Sequence, residues 1–122
     1  MGSNRIQCPV QATLRVIGGK WKVLILWNLG DEVRRFSELR RHIPGITQKM
    51  LTQQLRELES DGLVHREVFA EVPPRVEYSI TDYGRSLQPV LGTMCEWGTA
   101  HLDRINDSVM AREARRQPAP AE

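Results

Sequence analysis

Apolar positions in this chain come in short runs separated by strong breakers. Cys8-Pro9 opens a helix that reaches about Ile17 and stops at Gly18-Gly19, since proline is favoured at a first helical position and glycine beyond a last one. The next run, Lys20-Trp21-Lys22-Val23-Leu24-Ile25-Leu26-Trp27-Asn28-Leu29, is apolar on almost every helical face. That predicts a central, buried helix, closed by Gly30. Arg34-Arg35-Phe36 reads as a short strand. Ser37 predicts the cap of a short helix over 38–42, without a capping box because Arg40 stands three residues on. Pro44-Gly45 ends it. Thr47 predicts the cap of a longer helix, Gln48 to about Ser60, ended by Asp61-Gly62. Residues 63–69 and 75–80 alternate or are rich in β-formers around Glu71-Val72-Pro73-Pro74, which predicts a hairpin. Thr81 predicts the cap of a long final helix to about Arg104, bent near Pro89. Residues 1–7 read as a flexible arm, 8–106 as one domain and 107–122 as a flexible tail.

A short helix, a tight turn and a second helix make a helix-turn-helix, and a hairpin directly after it is a wing. The fold class is therefore mainly α with a small β-hairpin. Stepping ~100° per residue along 48–60 groups Leu51, Leu55 and Leu58 into one inward stripe. Lys49, Thr52, Gln53, Arg56 and Ser60 fall on the opposite side, which offers cations, an amide and hydroxyls and no carboxylate. Arginine and lysine pair with guanine edges in the major groove, and glutamine pairs with adenine. Thr47 and Gln48 lie where free amides and the positive helix end meet a phosphate. Arg34, Arg35, Arg40 and Arg41 flank the short helix as candidate phosphate contacts, of which two are expected to serve. Arg75 at the wing tip has two readings: entry into a narrow minor groove, or an ion pair with Glu71 or Glu77.

Charge agrees with a polyanionic partner. Residues 1–66 carry 11 Lys/Arg against 6 Asp/Glu, whereas residues 67–122 carry 6 against 9. At 122 residues the chain fits a single domain, and 40% hydrophobic with 26% charged residues is ordinary globular usage. No apolar run approaches the ~20 residues of a membrane span, and the first residues lack a signal core. With 2 cysteines there is no disulfide framework, so the expected setting is a reduced cytoplasm.

Gly18-Gly19-Lys20-Trp21-Lys22, Phe36-Ser37-Glu38-Leu39, Leu51-Thr52-Gln53-Gln54-Leu55-Arg56-Glu57-Leu58, Asp61-Gly62-Leu63-Val64, Pro73-Pro74-Arg75-Val76-Glu77-Tyr78 and Thr81-Asp82-Tyr83-Gly84 resemble the HxlR family of bacterial winged helix-turn-helix transcription regulators, over about residues 8–105. The resemblance implies a homodimer on a pseudo-palindromic operator of double-stranded DNA, acting as repressor or activator. Helix 48–60 becomes the recognition helix and hairpin 64–80 the wing. The first and last helices become dimerisation helices. Independently, Leu87, Val90, Leu91, Met94, Trp97 and Leu102 give the last helix more apolar surface than a small core buries, which two-fold pairing would cover.

Cys8 precedes Pro9 at a helix start, where free amides favour the thiolate. Some members of the family are similar in having an N-terminal cysteine that senses oxidants or electrophiles, so Cys8 is a redox-sensing candidate beside the plainer reading of an inert cap. Cys95 reads as core or interface packing. His42, His65 and His101 are scattered, with no metal spacing, so no metal or other cofactor is expected. Gly19-Lys20 is no phosphate loop, because Leu14 stands where that motif needs glycine and Trp21 where it needs Ser or Thr. No nucleophile elbow occurs, so no enzymatic activity is expected. The rivals are a winged helix used to bind another protein, and a regulator triggered by a small apolar ligand between the final helices.

Overall fold

The computed structural model describes residues 5–116. In chain order its elements are α1 (Pro9–Ile17), α2 (Trp21–Leu29), β1 (Arg34–Arg35), α3 (Phe36–His42), α4 (Gln48–Ser60), β2 (Val64–Phe69), β3 (Arg75–Ile80), α5 (Asp82–Arg85), α6 (Gln88–Ala100) and α7 (Leu102–Arg116). The chain divides into two compact units, between Gln88 and Pro89.

In the first unit, α2, α3 and α4 pack together and against an antiparallel sheet of order β1-β3-β2. Ile25, Leu26 and Leu29 of α2, Leu39 of α3, Leu51, Leu55 and Leu58 of α4, and Leu63 are each at most 2% exposed. Burying one such side chain stabilises by about 1.5–3 kcal/mol. α2 differs from the fully buried helix that its sequence predicts: Leu24 and Trp27 face out of this core and remain exposed. The turn between α3 and α4 is pinned by buried Ile43 and Ile46, and Gly45 between them has φ +83°, which favours glycine. The Thr47 hydroxyl then accepts from the Met50 amide at 3.1 Å, the cap expected for α4.

The hairpin pairs Val64 with Ile80 and Phe69 with Arg75. It gains a third strand, because Arg34 and Arg35 pair with Tyr78 and Glu77. That pairing also corrects the cap of α3. The N-cap is Arg35 and not Ser37, and the Arg35 amide donates to the Glu38 carboxylate at 2.9 Å, which is the acidic half of a capping box. The strand carries Arg35 in an extended backbone, so the helix begins at once, at Phe36.

The expected long final helix is instead three. Thr81 caps α5, its hydroxyl accepting from the Gly84 amide at 2.9 Å. Pro89 does not bend a continuing helix; it sits second in α6, where a missing N–H costs no intrahelical bond. In the second unit α6 ends at a turn at His101, and α7 runs on to Arg116. The tail expected from residue 107 is thus helical as far as Arg116. Asp103 in its first turn and Arg115 and Arg116 in its last complement the helix dipole, and Ala111 and Ala114 are strong helix formers. Residues 1–4 of the expected arm and 117–122 of the expected tail lie outside the described residues.

Candidate nucleic-acid interface

Burial of Leu51, Leu55 and Leu58 fixes the roll of α4 and thereby turns its other side outward. Gln48, Lys49, Thr52, Gln53, Arg56 and Glu57 line one open groove of about 720 Å³. Gln48, Lys49, Gln53 and Arg56 are exposed; Thr52 is half-buried, and its hydroxyl donates to the Gln48 carbonyl at 2.8 Å. With 13 residues, α4 extends about 20 Å at ~1.5 Å per residue, a length that lies within a major groove ~12 Å wide. The sequence expectation of a face without carboxylates needs one correction, since Glu57 borders the groove. Lys22 of α2 reaches to within 3.7 Å of its carboxylate, so the charge is partnered.

A second depression, of about 520 Å³, is lined by Phe36, Ser37, Arg40 and Arg41 of α3 together with Gln48. Gln48 belongs to both hollows, so the α3 cations adjoin the start of α4. Thr47 takes up the Met50 amide, leaving the Gln48 and Lys49 amides without an intrahelical acceptor. A cationic rim beside open amides at a helix start is the chemistry that holds a phosphate. Arg35 is exposed at the head of α3 but lines neither hollow.

The structure does not bring Arg34 or Arg75 to this surface as free cations. Arg34 donates through Nε to the Asn28 carbonyl at 2.7 Å, meets His42 Nε2 at 3.2 Å and pairs with Glu32 at 3.2 Å. Arg75 takes the ion-pair reading. Its guanidinium lies 3.2 Å from Glu71, 3.7 Å from Glu77 and 4.1 Å from the centre of the Phe69 ring. Arg66 was not singled out in the sequence. Its signal was the two-residue period of β2, which puts it on the same sheet face as buried Val64.

Cys8 is exposed at the N-cap of α1 and makes no side-chain cap bond; Cys95 on α6 is exposed as well. Within the first unit α1 leaves Val10 and Leu14 uncovered, and Leu87 is half-buried. Within the second, Val90, Met94, Trp97 and Leu102 are exposed, whereas Leu91 is 4% exposed in the single chain and has no surface left to offer a partner. Among the described residues no cluster of three or more His, Cys, Asp or Glu is placed to hold a metal ion. No helix among them is long and apolar enough to cross a membrane.

A family model described as HxlR-like helix-turn-helix matches residues 16–106. The HTH-type transcriptional regulator YdeP of Bacillus subtilis (strain 168), itself uncharacterised, is 55% identical over 107 residues, covering 88% of this chain and 84% of the relative. A similar regulator of Methanothermobacter thermautotrophicus is 56% identical over 98 residues, 80% of this chain and 75% of the relative. Among solved structures, the redox regulator HypR in its reduced form is 54% identical with a TM-score of 0.78, covering 82% of this chain and 99% of that one. Its oxidised form matches at 58% identity and a TM-score of 0.73, covering 76% and 96%.

Proposed function

The chain belongs to the HxlR-like helix-turn-helix family of DNA-binding transcriptional regulators, and from that premise we propose how it reads and responds. It acts as a homodimer on a pseudo-palindromic operator in the cytoplasm, with no enzymatic step. α4 enters the major groove, where Lys49, Gln53 and Arg56 read base edges and Thr52 adds its methyl and hydroxyl. Thr47 orders the first turn, and Gln48, Arg40 and Arg41 hold phosphates; Arg35 is a further phosphate contact. The observation that carries this reading is the single open groove shared by Gln48, Lys49, Thr52, Gln53 and Arg56. Arg34 and Arg75 are bonded within the chain and take no part in holding DNA in this reading.

The dimer is supported by the uncovered apolar residues of α1 and of α6, above all Met94 and Trp97. Two copies related by a two-fold axis present recognition helices about one DNA turn, ~34 Å, apart. A redox response through Cys8 is supported by its exposure and by the likeness to a redox regulator solved in both states.

Selection of duplexes from a random pool, with and without diamide, tests the whole reading. A palindromic consensus with half-sites one turn apart is expected, together with a loss or gain of affinity on oxidation that Cys8→Ser abolishes. No enrichment of any duplex would favour a protein-docking module instead. Enrichment that ignores oxidant but shifts with a small apolar ligand would move the trigger to the final helices.

A further inference from the structure

We propose that the wing touches the DNA backbone through Arg66 at its base and not through Arg75 at its tip, an inference that rests on the regulator reading above. The tip cation is occupied. Arg75 is held by Glu71 and Glu77, it stacks on the Phe69 ring directly across the hairpin, and its side chain is 30% exposed. Entry into a minor groove would break both ion pairs and the ring contact together.

The base cation is free. The side chain of Arg66 is exposed and makes no ion pair or hydrogen bond among the described residues. It pairs in register with Tyr78, and this sheet face, which also carries Val64 and Ile80, packs on α4. Arg66 therefore points to the crook between wing and recognition helix. Thr52, Leu55, Arg56, Glu59, Arg66 and Tyr78 line a pocket of about 300 Å³ there. Most of that lining is polar, which suits water or a phosphate oxygen. Arg56 and Arg66 thus form a two-cation wall continuous with the groove of α4. Glu59 is the single carboxylate among the lining residues, and it forms no ion pair with either arginine.

A phosphodiester of a duplex seated on α4 fits this arrangement. Its oxygens take the two free guanidiniums, and no internal bond has to break first. Such a contact adds affinity without sequence information.

Fluorescence anisotropy of the full chain with a labelled mixed-sequence duplex, titrated across salt concentrations, tests the assignment. Arg66→Gln is expected to weaken binding on the order of tenfold at low salt and to flatten the slope of log K against log salt by about 0.9, the share of one phosphate. Arg66→Lys should keep the slope, and Arg75→Gln should change neither quantity. Arg66→Thr, with a strand-favouring side chain, should repeat the loss while circular dichroism shows an unchanged melt. Wild-type slope and affinity in both Arg66→Gln and Arg66→Thr would overturn the proposal, as would the loss appearing in Arg75→Gln instead. If wild type binds and the Lys49/Gln53/Arg56 triple alanine variant loses sequence preference while the Arg66 variants are silent, this assignment alone fails. If wild type binds no duplex, the regulator reading fails with it.

Discussion

Lys22 Nζ lies 3.7 Å from Glu57 Oε1, a link from the central helix α2 to the edge of the α4 groove. Lys22 is 12% exposed at its side chain and Glu57 47%, so the cation is held from below while the carboxylate faces the groove. A bare carboxylate there would repel phosphate, and the pair removes that field from the surface that carries Lys49 and Arg56. Lys22→Met keeps the aliphatic stem and removes the charge. It should weaken duplex binding about threefold to tenfold at low salt, with the effect fading at ~1 M salt as the Debye length shrinks. Glu57→Gln in the same background should restore affinity. Unchanged anisotropy titrations in Lys22→Met would show that the pair does not shape the groove.

Alanine at Lys49, Gln53 or Arg56 should each cost about 1–3 kcal/mol of operator binding and relax one base position. Competition titrations with single-base operator variants measure this. A residue whose loss weakens every sequence alike holds a phosphate instead.

Stability and recognition should separate along the two sides of α4. Leu55 is 2% exposed, so Leu55→Ala should destabilise by about 2–5 kcal/mol in urea unfolding. Gln53→Ala, on the exposed side, should stay within about 0.5 kcal/mol.

Two glycines should respond with opposite signs. A Cβ on Gly84 would stand 2.2 Å from the Leu63 carbonyl oxygen, a backbone atom that cannot swing away. Gly84→Ala should therefore destabilise by about 1–3 kcal/mol. A Cβ on Gly92, inside α6, meets nothing within 4 Å. Gly92→Ala should raise stability by about 0.5–1 kcal/mol, read from thermal melts.

Trp97 is 61% exposed and Met94 50% on α6. Placing a charge there should disfavour a two-fold apolar contact. Trp97→Glu is expected to shift the chain from dimer to monomer in sedimentation and to weaken a palindromic operator far more than a half-site. A variant that stays dimeric would locate the contact elsewhere.

The helical pattern of Leu51, Leu55 and Leu58 is enough to place α4 and its polar side, because a 3.6-residue repeat states both element and facing. Breakers such as Pro44-Gly45 and Asp61-Gly62 marked the turns for an equally local reason: few residues take those backbone angles. The winged helix-turn-helix order followed. The state of each long charged side chain was not legible. Arg34, Arg66 and Arg75 look alike in a string, yet one is bonded to a carbonyl, one is free and one is locked between two carboxylates over a ring. Those outcomes depend on which strands pair and in what register, so Glu77 and Phe69 reach Arg75 while no carboxylate among the described residues pairs with Arg66. The Lys22–Glu57 link joins residues 35 positions apart, and the Ser37 cap gave way to Arg35 because β1 pairs with a strand some 40 positions later. Periodicity and turn chemistry act over a few residues and are written in order along the chain; charge pairing acts through space, and needs the packed fold to bring its partners together.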